Sequence, residues 1–211
     1  MGQTASKVDD FFLCCFGMQN DFAVDEVKKK EPFDYREYER KLKSKQSNSL
    51  IGEDRTFGGN ELFVDMIPSK CSFKNARKYI DRSDWDHLRN KVYERVNHKC
   101  ECCGYQHIKN FNKSLEAHER WEFDMNTKTQ KLKRFVALCS YCHYATHIGN
   151  AKRIGVDHIA RKKLKKVRNF TDEELQKHID DAYKLCAERD KYDWVQDLSI
   201  LELNGYSQNF H

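Results

Sequence analysis

Two Cys-x-x-Cys pairs, Cys100 with Cys103 and Cys139 with Cys142, are separated by 36 positions counted from Cys103 to Cys139. A Cys-x-x-Cys turn aims two thiolates at one point, and two such turns complete the tetrahedral coordination that structural zinc prefers, with no position left open. Gly104 follows Cys103 and permits the tight turn. Cys102 leaves only one residue to Cys100, so Cys100 and Cys103 are the expected partners. Four thiolates can also hold an iron–sulfur cluster, and the bland alternative is four buried thiols. The turn spacing favours zinc, whose expected contribution is folding energy rather than chemistry.

Three histidines lie between and after these turns. His118 sits in Leu115-Glu-Ala-His-Glu-Arg-Trp121, His143 directly follows Cys142, and His147 comes four residues later on the same expected helix face. Converging imidazoles suit a borderline divalent metal, which can stabilise a leaving oxygen and orient a scissile group. A histidine near neutrality can also deprotonate water. The competing reading makes them partners of the zinc ligands or plain surface residues.

The elements that must position these residues can be read from periodicity. Trp85, Leu88, Val92 and Val96 recur at helical spacing after a Ser83 cap with Asp86 at its third position, which predicts a helix delivering the chain to Cys100. Leu115 to Phe123 and Lys131 to Leu138 read as strands joined by a turn at Asn126-Thr-Lys-Thr129. Ser140 to Asn150 reads as a short helix ending near Gly149. Thr171 with Glu174 forms a capping box that opens a helix through about Arg189, with Leu175, Ile179, Tyr183 and Cys186 on its apolar face. The expected fold class is therefore α+β, with helices around a small ββα module and its treble-clef-like zinc knuckle.

The composition is hydrophilic, 39% hydrophobic and 34% charged over 211 residues. A modest core of this kind benefits from a metal staple. The net charge of +5 is mild, but its distribution is uneven. Lys152, Arg153, Arg161, Lys162, Lys163, Lys165, Lys166 and Arg168 crowd one stretch against a single acid, Asp157. Such a block fits phosphate contacts, or else a solvated helix face. Nine cysteines without a secretory signal peptide point to metal binding in a reducing compartment, hence an intracellular and not a secreted protein. No apolar run is long enough to span a membrane.

The chain begins Met1-Gly2-Gln3-Thr4-Ala5-Ser6, the pattern for myristoylation of Gly2. One acyl chain anchors only marginally. Cys14 and Cys15, within Phe11-Phe12-Leu13-Cys14-Cys15-Phe16, are candidate palmitoylation sites, and Lys28-Lys29-Lys30 is a candidate basic patch. The expectation is membrane association in a eukaryotic host, or a place within a virus particle. The organisation read from these features is a lipid-anchor tail over 1–30, a charged helix and linker over 31–60 (with a helix at 33–45), the main domain over 61–205, and a tail over 206–211.

The run Leu115-Glu-Ala-His-Glu-Arg-Trp-Glu-Phe-Asp124, with Cys100-x-x-Cys-Gly104 before it and Val136-Ala-Leu-Cys-Ser-Tyr-Cys-His-Tyr-Ala-Thr-His-Ile-Gly149 after it, resembles the zinc-knuckle branch of HNH (ββα-metal) endonucleases. Trp85-x-x-Leu-Arg89 and Arg189-Asp-Lys-Tyr-Asp-Trp194-x-x-Asp197-Leu198 extend the resemblance over roughly residues 65–205. It implies hydrolysis of DNA phosphodiesters with Mg²⁺ or another divalent cation, His118 as the general base, and His143 and His147 as metal ligands. Arg134, where the family's middle Asn would fall, joins Lys152, Arg153, Arg161, Lys162 and Lys163 as an expected nucleic-acid contact. The chain departs from the pattern at Ala117, where an acidic metal ligand is common. Glu116, Glu119 or Asp124 would then supply the carboxylate. Without one, His118 becomes a metal ligand and the base is open. The alternative function is an inactive zinc module that binds nucleic acid or serves a structural role.

Overall fold

The computed structural model describes residues 49–71, 75–106 and 115–206, which lie within one compact unit. Gly2, Cys14, Cys15, Lys28 to Lys30 and the expected helix at 33–45 lie outside the described residues. The fold is α+β. In chain order the elements are a 3₁₀ turn at Ser69–Cys71, α1 (Ala76–Tyr79), α2 (Arg82–Glu94), β1 (Leu115–Asp124), β2 (Thr129–Cys139), α3 (Ser140–Thr146), α4 (Ile148–Arg153), α5 (Asp157–Arg168), α6 (Asp172–Arg189), β3 (Val195–Asp197) and α7 (Ser199–Leu203). Among the described residues, no helix is long and apolar enough to cross a membrane.

Strands β1 and β2 form an antiparallel hairpin in which Leu115 faces Cys139 and His118 faces Val136, and β3 adds to β2 in parallel. Alternation along a strand sends Glu116, His118 and Arg120 to one face and Glu119 to the other. A register shift between Arg120 and Trp121 interrupts the alternation beyond that point. The core gathers Leu88 and Val92 of α2, Leu132, Phe135, Val136 and Leu138 of β2, and Ala160 and Leu164 of α5. Trp85 packs edge-on against Phe135 at 6.3 Å between ring centres.

Helix α2 begins two residues earlier than expected. Asp81, in extended conformation, is the N-cap residue, and Ser83 is already inside the helix. The Thr171 and Glu174 capping box is present in both directions, at 3.2 Å and 2.7 Å. Leu175, Ile179 and Cys186 of α6 are buried, whereas Tyr183 is 40% exposed.

Segment 49–60, assigned to a linker from its Ser, Asn and Gly content, is knitted into the module. Leu50 is buried, and the Glu53 carboxylate is buried where it accepts hydrogen bonds from Arg95 (2.5 Å) and from the Phe135 backbone N–H (2.8 Å). Tyr206, assigned to the tail, is buried with its hydroxyl 3.2 Å from His87 Nδ1.

Candidate metal centres

Cys100, Cys103, Cys139 and Cys142 place their sulfurs within 4.8 Å of one another. The Cys103 and Cys139 sulfurs are 3.8 Å apart, the separation that two thiolates take on a tetrahedral zinc at about 2.3 Å each. The four thiols can therefore hold a zinc ion. The first turn is shaped by Gly104, whose φ is +70° and whose N–H donates to Cys100 O at 2.9 Å. The second turn is the start of α3, with Cys139 at its N-cap. Mutual hydrogen bonds divide the sulfurs electrostatically. The bond with Cys100 pulls Cys103 far down and brings Cys139 down to about 7, while Cys100 and Cys142 are pushed up. Zinc would require the thiolate form of all four sulfurs.

Two further contacts hold this knuckle against the sheet. The Glu101 N–H donates to Ala137 O at 2.9 Å, and the Glu101 carboxylate accepts from Ala137 N–H at 2.9 Å. The same carboxylate accepts from Arg134 at 2.6 Å.

His118, His143 and His147 form a second cluster, their candidate ligand atoms also within 4.8 Å of one another. Ring centres are 5.6 Å apart for His118 and His143, 4.8 Å for His118 and His147, and 4.7 Å for His143 and His147. The helix expected over Ser140 to Asn150 is broken at His147, whose φ of −100° and ψ of 52° separate α3 from α4. Its N–H still bonds His143 O at 3.0 Å, so the two histidines remain neighbours across the break. Glu116 accepts from His143 Nδ1 at 2.7 Å. Burial acts to raise the Glu116 carboxyl, but hydrogen bonds from His143 and Ser140 and the charge of His143 and His147 together make the net shift downward. Burial and then the charge of neighbouring imidazoles hold His118 well below its usual range and bring His147 down to about 3. Both rings are thus neutral at physiological pH, the form in which imidazole binds a metal.

His118 is only 4% exposed, and its Nε2 has no hydrogen-bond partner. Its ring lines a cavity of about 530 Å³ with His143, His147, Asp65, Asn75, Arg77, Trp85 and Asn150.

The structure separates the other sequence-selected residues from this cluster or gives them other work. Glu119 lines the same cavity, but its carboxylate accepts the Ala76 N–H at 2.7 Å, and burial pushes its carboxyl up to about 7. Asp124 closes the hairpin, accepting from Asn126 N–H and the Thr127 hydroxyl at 2.8 Å each. Arg134 is not a surface contact for nucleic acid. It is 1% exposed and is held by Glu101 and by the carbonyls of Arg55 (2.6 Å) and Gly59 (3.1 Å).

Lys163 is half-buried beside the cysteine cluster. Burial acts to lower its ammonium, but a hydrogen bond to Cys103 and the charge of Cys142 raise it overall. Arg161 donates to Gln176 at 2.7 Å, Arg153 donates to Asn150, and Lys152 and Lys162 are exposed. Asp65, which sequence reasoning did not select, sits at the imidazole cluster with Oδ2 at 3.7 Å from His118 Nε2.

No protein-family model, no curated protein and no solved structure matches this chain.

Proposed function

We propose that this chain is an HNH-type endonuclease that hydrolyses phosphodiester bonds of DNA with a divalent metal ion. The observation that carries the reading is the meeting of His118, His143 and His147 at the junction of β1 and α3, beside a cavity and one residue from the zinc-ligand candidate Cys142. The donor set fits a metal. His143 and His147 are its ligands, and Glu116 orients His143 from behind through Nδ1, which leaves Nε2 for the ion. When bound, the ion supplies positive charge at the scissile phosphate and its leaving oxygen. The burial of His118, together with its distances to the other two rings, favours a third-ligand role over that of a solvent-accessible general base. Arg77 brings positive charge to the cavity, and Lys152 and Arg153 follow Asn150 on α4 as phosphate contacts. Zinc on the four cysteines fixes the start of α3 and so the position of His143.

Incubation of the purified chain with plasmid and Mg²⁺, Mn²⁺ or Ni²⁺, beside His118→Ala, tests the reading. Metal-dependent nicking lost in the variant supports it. Absence of nicking, or equal nicking by the variant, refutes it.

A second reading is a zinc module that binds nucleic acid without cleaving it. Ala117, at the position where the resemblance calls for an acid, favours this alternative. In either case we propose that Gly2 carries a myristoyl group that brings the protein to a membrane, supported by Met1-Gly2-Gln3-Thr4-Ala5-Ser6. Mass spectrometry of the chain from eukaryotic cells is expected to find acylated Gly2, and free Gly2 refutes it.

A further inference from the structure

The residue immediately before His118 on β1 is Ala117, and the carboxylate of Glu116 is engaged by Nδ1 of His143. Glu119 lines the same cavity but is engaged by the Ala76 N–H, and Asp124 serves the hairpin turn. A carboxylate nevertheless reaches the imidazoles from a distant part of the chain. Asp65 is 7% exposed, lines the same cavity, and holds Oδ2 at 3.7 Å from His118 Nε2. Its backbone is latched to the site, since its N–H donates at 3.0 Å to the carbonyl of Thr146, the residue preceding His147. The neighbouring Val64 N–H donates to His178 Nε2 at 3.1 Å, which fixes the segment from its other side.

We propose that Asp65 is the anionic ligand of the imidazole metal centre, making it a three-histidine, one-carboxylate site for a first-row transition ion. The inference rests on reading the three imidazoles as a metal centre. Three relationships support it. First, His118 Nε2 is buried with no hydrogen-bond partner, and a buried polar atom in that state calls for one. Second, 3.7 Å is too long for a hydrogen bond. Two donors at about 2.1 Å from one cation are about 3.0 to 3.4 Å apart, so a few tenths of an ångström close the Asp65–His118 pair, and a larger turn of the Asp65 side chain brings it to an ion shared with His143 and His147, whose 4.8 Å cluster with His118 does not include it. Third, Asp65 is buried in the wall of the cavity that the three imidazoles line, where its carboxylate would offset the charge of a bound dication. Imidazole-rich donors suit Mn²⁺, Co²⁺, Ni²⁺ or Zn²⁺, whereas Mg²⁺ prefers oxygen ligands and retained water.

The test uses the full chain with zinc held by the cysteines, titrated with Co²⁺ and followed by calorimetry and visible absorption. Wild type is expected to take up one further Co²⁺. Asp65→Asn is expected to weaken that uptake at least tenfold at an unchanged circular dichroism spectrum. It also shrinks the Co²⁺-induced rise in melting temperature without lowering the metal-free melting temperature. Asp65→Cys is expected to gain a near-ultraviolet sulfur-to-cobalt charge-transfer band, a signal that merely structural packing cannot create. Wild-type affinity in Asp65→Asn, or Co²⁺ binding by Asp65→Cys without the new band, overturns the assignment of Asp65. Should Asp65→Asn not fold, the band in Asp65→Cys decides. Failure of the wild type to bind a further Co²⁺ instead overturns the metal-centre reading itself, and loss of binding in His147→Ala with Asp65→Asn unaffected overturns Asp65 alone.

Discussion

The Glu116 carboxylate lies 2.7 Å from Nδ1 of His143, across the junction where β1 meets the first turn of α3. The contact fixes both the tautomer and the ring plane of a histidine that directly follows a zinc-ligand candidate. Glu116→Gln keeps the shape but weakens the hold. It is expected to lower metal affinity at the imidazole cluster by about 10- to 100-fold, as loss of such supporting partners does elsewhere. Zinc on the cysteines and the thermal unfolding of the metal-free chain should change little. Calorimetric metal titration of the variant beside wild type measures this, and equal affinity would remove Glu116 from the account.

Zinc is expected to join fold and activity. Cys139 and Cys142 start α3, and α3 packs on α5, so Cys142→Ser should unfold that region and scatter the imidazoles. A strong chelator should do the same to wild type, seen as loss of helical signal in far-ultraviolet circular dichroism together with loss of any nicking. An unchanged spectrum after complete zinc removal would contradict the structural role.

Basic residues divide into two groups with opposite expected behaviour. Arg134→Leu removes the nearest charged partner of the buried Glu101 carboxylate and should destabilise the chain by about 3–5 kcal/mol. Lys152, Arg153 and Lys162 changed together to Ala should leave unfolding unaltered. Under the proposed function the triple variant weakens DNA binding and reduces the slope of log affinity against log salt by about 3 if each residue meets a phosphate. Denaturant unfolding and binding at several salt concentrations separate the two groups.

His178 gives a pH signature away from the candidate metal centres. Its Nε2 must be unprotonated to accept the Val64 N–H, and burial with the nearby Arg168 lowers its pKa in the folded chain. A histidine depressed on folding contributes stability above its unfolded pKa of about 6.5 and loses it as pH falls. The unfolding midpoint of wild type should therefore drop between pH 7.5 and pH 5.5 by more than that of His178→Gln. Identical drops would show that His178 does not titrate with folding.

Local patterns carried much of this architecture. The Cys-x-x-Cys spacing, the β1–β2 alternation and the Thr171–Glu174 capping box each depend on residues a few positions apart, and each is legible along the chain. Partnerships across long separations were not. Asp65 reaches His118 from 53 positions away, and Glu53 reaches Arg95 from 42. No periodicity reports such pairs. Arg134 was misread although a signal existed. It alternates with Leu132 and Val136, both buried, so its strand position points inward. Asp124 likewise carried a local signal, since Asp-x-Asn-Thr is a side chain-to-backbone turn pattern. The break at His147 left no clear trace beyond the Gly149-Asn150 punctuation that follows it.

Under the proposed function, activity resides in a metal on the imidazoles, and zinc on the four cysteines is structural. This is tested most directly by dialysing the protein against a weak chelator until one zinc per chain remains, then measuring plasmid nicking as Mn²⁺ is returned. No nicking at one zinc per chain, recovery on adding Mn²⁺, and no recovery in His143→Ala are predicted. Nicking by the one-zinc protein before Mn²⁺ is added, or full recovery in His143→Ala, would contradict the account.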